Sequence, residues 1–180
     1  MVGGNRLMRS EAQYCTSIVK SLNSIGDLAY KIPDASGNFA TSIRVFDIMG
    51  RKDNKPLYLE AKFNKDPSAF NFGRIETHQA FYLDEFAKIP DAVCYIALGV
   101  QWKRGETRSY IFEWRDISQL YHKGFSIHKK ELEKLPFNLI KKEVFSFDNI
   151  ITKDVLISIY GESIYDESDV SVSEVQENNQ

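Results

Sequence analysis

Several features that define large classes of protein are absent from this sequence. No apolar run is long enough to span a membrane, and residues 1–6 lack the apolar segment of a secretory signal, so we expect a cytoplasmic protein that does not bind membranes. There is no CxxC motif and no histidine pair at zinc spacing. A bound metal would therefore be a hard ion held by carboxylates, such as Mg²⁺ or Mn²⁺. Cys15 and Cys94 lie in apolar segments and are predicted to be buried thiols rather than a disulfide.

Basic residues are missing from the last part of the chain. Residues 161–180 contain six acids and no lysine or arginine, which leaves 23 basic and 19 acidic residues in 1–160, a net charge of +4. A mildly basic body permits a nucleic-acid partner without establishing one. We predict a single domain over 1–160 and a disordered acidic tail over 161–180, because the tail has few apolar residues to bury.

The order of helical and strand patterns predicts an α/β domain built on a mixed sheet. The predicted elements are, in chain order, a helix over 6–25, a short strand over 28–32, a loop over 33–38, a strand over 42–49, a charged turn over 50–56, a strand over 57–63, a helix over 74–88, strands over 92–100 and 109–114, helical pieces over 115–135, and a helix or strand over 151–160. No internal repeat interrupts this order.

Two predicted neighbouring strands carry charged residues of opposite sign. Alternation places Tyr58, Glu60 and Lys62 on one face of their strand, away from the apolar residues on the other face. Asp47 precedes a short turn, so a hairpin would bring it alongside Glu60. Two carboxylates on neighbouring strands can share a divalent cation, and the carbonyl of Ala61 could add a further oxygen ligand.

Hydrolysis of a phosphodiester requires an activated water, compensation of phosphoryl charge and stabilisation of the leaving oxygen. Asp47 and Glu60 would hold the metal, Lys62 would orient the water and stabilise the developing charge, and Glu11 on the first helix could complete the site or bind a second metal. The spacing Asp47-x12-Glu60-x-Lys62 is that of PD-(D/E)xK nucleases. It predicts a restriction-endonuclease-like fold, a mixed central sheet flanked by helices. The alternative is that Glu60 and Lys62 form an exposed ion pair on a solvated face, worth well under ~1 kcal/mol.

At these residues the chain resembles the RecU family of Holliday-junction resolvases, phage members included. Residues 5–11 look like the family's N-R-G-M-x-L-E start, and 126–132 resemble its S-I-R-K-x-E-L. Between Asp47 and Gln79 the match needs no gap, and it includes E-A-K at 60–62, the family's S-F at Ala69-Phe70, and H-Q at 78–79. The spacing from E-A-K to H-Q is the most specific part of this resemblance.

The resemblance implies roles for single residues. Asp47 and Glu60 match the family's metal-binding acids, Gln79 its metal-site glutamine, and Lys62 the lysine assigned to transition-state stabilisation. Family members are homodimers that use Mg²⁺ and cut two opposing strands of a four-way DNA junction. No nucleotide cofactor is implied.

Three departures from the family pattern concern the metal shell and the junction. Val45 replaces a family threonine and cannot coordinate a metal, so water would complete the shell. Leu7 replaces a family glycine. The stretch between Glu11 and Asp47 is shorter than in the family, and Lys31 or Arg44 could replace a family arginine there. This shortening affects the expected junction specificity more than the expected cleavage chemistry.

Basic and aromatic residues around the triplet are the candidate DNA contacts. Arg51, Lys52 and Lys55 are predicted to form a basic turn beside the site. Phe70 and Phe72 are predicted either to stack on opened bases or to pin their loop to the core. The remaining candidates for DNA contact are Arg6, Lys31, Lys65, Arg74 and His78. The alternative to a DNA contact at His78 is a solvated side chain. The alternative to a metal-site role at Gln79 is a surface or helix-capping amide.

The leading hypothesis is a Mg²⁺-dependent endonuclease that resolves Holliday junctions in recombination and repair. A second is a PD-(D/E)xK endonuclease acting on other branched or duplex DNA. A third is a non-catalytic junction-binding modulator of recombination on the same scaffold, which the presence of Asp47, Glu60 and Lys62 disfavours.

Overall fold

The computed structural model describes Met8 and residues 10–33, 45–141 and 143–166. The predicted DNA contact Arg6, the alternative Arg44, the departure at Leu7, most of the predicted loop over 33–38 and the tail over 167–180 lie outside these residues. In the part of the chain so described, no helix combines the length and apolar character needed to cross a bilayer.

The helices and strands follow the predicted order, with three short strands, at Phe70–Asn71, Ser126–Ile127 and Asn138–Ile140, that the sequence patterns do not predict. The α-helices are α1 Glu11–Ser24, α2 Thr77–Ala87, α3 Trp114–His122, α4 Lys129–Leu132 and α5 Lys153–Tyr160, with 3₁₀ helices at Phe72–Arg74 and Glu162–Tyr165. The strands are β1 Leu28–Lys31, β2 Ile48–Lys52, β3 Lys55–Asn64, β4 Phe70–Asn71, β5 Val93–Lys103, β6 Glu106–Glu113, β7 Ser126–Ile127, β8 Asn138–Ile140 and β9 Ile150–Ile151.

A mixed central sheet organises the domain. Its strand order is β1-β2-β3-β5-β6-β8, with β9 also paired to β6. Strands β1, β2 and β3 form an antiparallel meander, and β3 pairs in parallel with β5 after the crossover through α2. Strands β4 and β7 form a separate small sheet. The prediction of an α/β domain with a mixed central sheet flanked by helices is confirmed.

Both faces of the central sheet are buried under helices. One face packs against α1, through Tyr14, Ile18 and Leu22, while the other packs against α2 and α3, through residues such as Leu83 and Trp114. Strand β3 contributes its apolar residues to the α1 side, so Glu60 and Lys62 face the α2 side. They are 1% and 7% exposed, and this excludes the alternative of an ion pair on a solvated face.

The turn of the β2–β3 hairpin is shorter than predicted, and β2 covers Ile48–Lys52 where the predicted strand covers 42–49. Its turn consists only of Asp53 and Asn54, both with positive φ (50° and 64°), and the strands extend into the range predicted as a charged turn. Gly50 is a strand residue here, since a Cβ at this position would come within 2.0 Å of the Leu28 carbonyl oxygen. The prediction of a turn over 50–56 is therefore wrong, because close strand packing rather than a turn requires this glycine.

The boundaries of the helices follow their caps. Helix α1 begins at Glu11 because the Ser10 hydroxyl accepts a hydrogen bond from the Gln13 amide, so the described part of the helix starts later than predicted. Helix α2 begins at Thr77, after the 3₁₀ turn, within a capping box formed by Glu76 and Gln79. The ambiguous segment over 151–160 contains both alternatives, the end of a short strand followed by a helix.

The first residues of the predicted tail pack on the domain. The Tyr165 hydroxyl donates to the Asp116 carbonyl at 2.9 Å, and its carbonyl accepts from Gln119 Nε2 at 2.9 Å. The Lys153 ammonium lies 4.6 Å from the centre of the Tyr165 ring. The prediction of disorder is therefore wrong for residues 161–166, because Tyr165 provides the packing contact that the overall composition of the tail does not suggest.

We expect a chain ending at Tyr160 to be less stable than a chain ending at Asp166. The shorter chain loses the contacts of Tyr165 with α3, which at ~1 kcal/mol for each hydrogen bond plus ring burial amount to about 2–4 kcal/mol. Its midpoint in thermal unfolding should fall by roughly 5–10 °C for a domain of this size. Equal midpoints for the two truncated chains would contradict the packing role of this segment.

Candidate active site

The two predicted acids face each other where β3 extends past the end of β2. The last pair of the hairpin is Ile48 with Leu59, so Asp47 lies beside Glu60. Beyond this point β3 pairs only with β5, which leaves backbone N–H groups on its other edge. The Ala61 N–H donates to Asp47 Oδ2 at 2.8 Å. The backbone of β3 thus anchors this carboxylate in the place that hairpin geometry predicts.

Glu11 reaches the same edge from the start of α1. Its carboxylate accepts a hydrogen bond from the Phe63 N–H, the next outward-facing amide after that of Ala61. Burial raises the pKa of Glu11 and the charge of Asp47 raises it further, while Lys62 opposes the shift. The predicted third acid therefore belongs to the electrostatic environment of the site.

A buried hydrogen-bonded triad lies beneath α2. Lys62 Nζ donates to Glu60 Oε1 at 2.8 Å and to Gln79 Oε1 at 3.1 Å, and Gln79 Nε2 donates to Glu60 Oε1 at 2.6 Å. Gln79 Oε1 also accepts from the Glu76 N–H at 2.9 Å. Gln79 therefore caps helix α2, as the alternative interpretation predicts, and also forms hydrogen bonds with Glu60 and Lys62. It fixes the Glu60 carboxylate and the Lys62 ammonium relative to each other.

Burial and a neighbouring carboxylate make the Glu60 charge unfavourable. Desolvation raises the pKa of Glu60 to about 8, with a further contribution from Asp47 and an opposing one from Lys62. Glu60 Oε2 is buried and no donor of the described residues reaches it. A cation at this oxygen would satisfy the unpaired acceptor and offset the repulsion between the two acids.

The residues fit a divalent cation held by two carboxylates. Among the described residues, no group of three or more histidine, cysteine, aspartate or glutamate side chains could hold a metal by itself. That Glu11 completes the site or binds a second metal stays a prediction, and its carboxylate, like that of Asp47, accepts a backbone N–H of β3. Oxygen ligands from Asp47 and Glu60, with a carbonyl and water, match the preference of Mg²⁺ and Mn²⁺.

Without a metal, Glu60→Gln should stabilise the protein at pH 8 and leave it nearly unchanged at pH 5. The pKa of Glu60 in the folded state lies above its unfolded value of 4.5. The contribution of Glu60 to the free energy of unfolding is therefore fully present below pH 4.5 and is lost as the pH rises towards about 8. The neutral amide removes this loss, which is on the order of a few kcal/mol. Thermal unfolding in EDTA at both pH values would measure it.

The exposed acid Glu85, on the outer side of α2, provides the matched control. Glu85→Gln removes the same charge without a buried carboxylate and should not show this dependence on pH. If Glu60→Gln and Glu85→Gln changed stability equally at pH 8, burial would not be the cause of the effect.

The basic residues of the hairpin lie away from the acids. Arg51 and Lys52 pair with Pro56 and Lys55 at the turn, four residues from Asp47, or roughly 13 Å along the strand. Lys52 forms an ion pair with Asp53 at 2.5 Å. The prediction that Arg51, Lys52 and Lys55 lie beside the site is wrong, because the strands extend further than the sequence pattern indicates.

Phe70 and Phe72 are core residues. Both are fully buried, their ring centres are 5.2 Å apart, and both contact Phe112 of the central sheet. Neither ring is accessible to a DNA base. Of the two interpretations, pinning of the loop to the core is the one that the structure supports, and the predicted base stacking is wrong.

The remaining predicted contacts among the described residues lie on or next to β1, β3, α2 and the 3₁₀ helix Phe72–Arg74. Lys65 follows this strand and is exposed, Arg74 is exposed at the end of the 3₁₀ helix, and Lys31 is half-buried at the end of β1. His78 is half-exposed on α2, with Nδ1 3.3 Å from Glu76 Oε2. That these residues contact DNA stays a prediction. Sequence reasoning missed Asn64, although the alternation that placed Glu60 and Lys62 on one face also includes it.

The similarity to known proteins is confined to structure. No family model matches the sequence, and no curated protein matches it. Among solved structures, one match is Hjc of Archaeoglobus fulgidus, described as a Holliday junction resolvase from an archaeal hyperthermophile. It aligns with a TM-score of 0.42 and 16% identity, over 58% of this chain and 73% of that one. The resemblance to the RecU family stays a prediction.

Proposed function

We propose that this protein is a DNA endonuclease that uses Mg²⁺ or Mn²⁺ and cleaves four-way junctions. The observation that carries the proposal is the buried pair of acids, Asp47 and Glu60, beside the ammonium of Lys62. A structural ion pair does not require a second carboxylate next to it, and this second carboxylate raises the pKa of Glu60. Such a cost is typical of sites that bind a cation.

In this proposal Asp47 and Glu60 hold the cation. The cation would lower the pKa of a bound water and offset negative charge on the scissile phosphate. The Ala61 amide keeps Asp47 in place, and Gln79 keeps the Glu60 carboxylate oriented. Gln79 Oε1 already accepts two hydrogen bonds, which favours an orienting role over the predicted role of metal ligand.

Lys62 supplies a positive charge beside the reacting phosphate. Two of its N–H groups point to Glu60 and Gln79, and a third remains for a phosphate oxygen. Because Lys62 is only 7% exposed, the interaction of its ammonium with developing charge is little screened by water. The gain is therefore largest as negative charge accumulates in the transition state.

Junction specificity and the dimer rest on the sequence resemblance. The matched stretch from Asp47 to Gln79 supports a resolvase of the RecU type within the PD-(D/E)xK class. Two symmetric cuts in a junction require two active sites related by a twofold axis, which supports a homodimer. Along the chain the elements follow the order α1, the antiparallel meander of β1, β2 and β3, then α2 and β5. This order, with Asp47 and Glu60 where β3 extends past β2, supports the restriction-endonuclease-like class.

A cleavage assay separates the three functional hypotheses. The purified protein is mixed with a labelled four-way junction and a linear duplex of matched sequence, each in Mg²⁺ and in EDTA. We expect paired cuts in the junction only, and only in Mg²⁺. Equal cleavage of both DNAs would favour a less selective endonuclease, while binding without cleavage would favour a non-catalytic modulator.

A further inference from the structure

The row of polar residues on β3 continues past Lys62 to Asn64. Alternation places Asn64 on the same face as Glu60 and Lys62, and its side chain is buried, with 8% exposure. Asn64 is the last residue of the strand, two positions beyond Lys62. A buried asparagine there needs hydrogen-bond partners, and the partner that it has is Arg74.

Asn64 orients an exposed guanidinium. Arg74 Nη1 donates to Asn64 Oδ1, and the 3₁₀ turn that carries Arg74 is fixed by the buried ring of Phe72 and by the Asn71 side chain, which accepts from the Gly73 amide. Backbone and side chain of Arg74 are therefore both held. Arg74 nevertheless remains an exposed residue.

The charge of Arg74 acts on the site and has no carboxylate partner in the described residues. It lowers the pKa of Glu11, as Lys62 does, so the two cations share one electrostatic environment. Among the described residues no acid forms an ion pair with Arg74. Lys62 is buried and donates to Glu60 and Gln79, whereas Arg74 is exposed and has donors beyond the one that Asn64 accepts.

The orientation of the Asn64 amide leaves one group unsatisfied. An arginine only donates hydrogen bonds, so Oδ1 must face Arg74, and this turns Nδ2 into the interior, where no acceptor reaches it. A buried donor without a partner is unfavourable. The Asn64 side chain therefore satisfies the Arg74 guanidinium while its own Nδ2 group lacks a hydrogen-bond acceptor.

We propose that Arg74 binds a backbone phosphate next to the scissile one, and that Asn64 is the positioning residue that sets the guanidinium for this contact. The inference rests on the proposed function and adds a substrate contact to it. A planar guanidinium fits a phosphate through paired donors, and one that is already oriented loses less freedom on binding.

The test measures binding of a labelled four-way junction in EDTA at several salt concentrations. Arg74→Gln should reduce the slope of log affinity against log salt by about 0.9, the value for one phosphate contact. Asn64→Ala should cause part of the same reduction although it removes no charge, and the double variant should match Arg74→Gln alone. Lys88→Gln, which removes a charge at the far end of α2, should keep the wild-type slope.

Several outcomes would overturn the inference. They are a wild-type slope for Arg74→Gln, additive losses in the double variant, or an Asn64→Ala variant that lowers the unfolding temperature without changing the slope. Cleavage of the junction by wild type in Mg²⁺, measured in parallel, separates the two proposals. Cleavage with an unaffected Arg74→Gln slope refutes the phosphate contact alone, a reduced slope without cleavage refutes the nuclease alone, and absence of binding refutes both.

Discussion

Replacing Glu60 with glutamine, or Asp47 with asparagine, should abolish cleavage of a four-way junction while the junction is still bound. Each change removes one of the two carboxylates that would hold the cation and keeps the size of the side chain. Loss of water activation and of charge compensation at the phosphate together amounts to several kcal/mol in the barrier. We therefore expect cleavage to fall by at least a thousandfold, which corresponds to ~4 kcal/mol.

Binding should persist in these variants, because the two acids repel phosphate rather than attract it. Removal of a negative charge near the DNA should leave the affinity equal or higher in EDTA. Single-turnover cleavage in Mg²⁺ and binding in EDTA are the two measurements. Glu85→Gln is again the matched control and should cleave as wild type does. Wild-type cleavage by either active-site variant would remove the acids from the mechanism.

Lys62→Met should reduce the single-turnover rate on the order of a hundredfold or more, as for loss of one preorganised charge. The reduction should appear in kcat rather than in DNA affinity, because the interaction strengthens as charge develops on the phosphate. Binding of Mn²⁺ should persist, since Asp47 and Glu60 remain.

The burial of Lys62 adds a requirement to this experiment. Its removal leaves Glu60 with fewer donors and takes away the charge that lowers the Glu60 pKa, so the variant loses stability as the pH rises. Rates should be compared below the unfolding temperature of each variant, with Lys62→Arg as a second variant that keeps the charge. A folded Lys62→Met protein that cleaves within a few-fold of wild type would contradict the catalytic role.

The placement of Asp47, Glu60 and Lys62 next to one another was predictable because short-range rules determine it. Alternation in β3 places Glu60 and Lys62 on one face, and a hairpin with equal arms brings Asp47 beside Glu60. The same rules would have identified Asn64. These rules do not determine that helices cover both faces of the sheet. It is this coverage that buries the pair of Glu60 and Lys62.

The wrong predictions concern residues whose environment depends on distant parts of the chain. Phe70 and Phe72 follow a polar loop, and only the pairing of β4 with β7 and the contact with Phe112 place them in the core. Tyr165 lies in a segment whose composition predicts disorder, and its contact is with Asp116, 49 positions earlier. Composition averages over such single contacts and cannot reveal them.

The two-residue turn of the hairpin also limits how the spacing of the acids can change. Residues 48–52 and 55–59 are equal arms, so Asp47 faces Glu60 only while both arms have the same length. An insertion in one arm would displace one acid from the other and reverse the faces of the residues beyond it, unless a bulge absorbed the extra residue. One residue added to each arm would keep the pair intact. The interval between the two acids is therefore subject to a parity rule, and variants of this hairpin that retain the site should differ in length by even numbers.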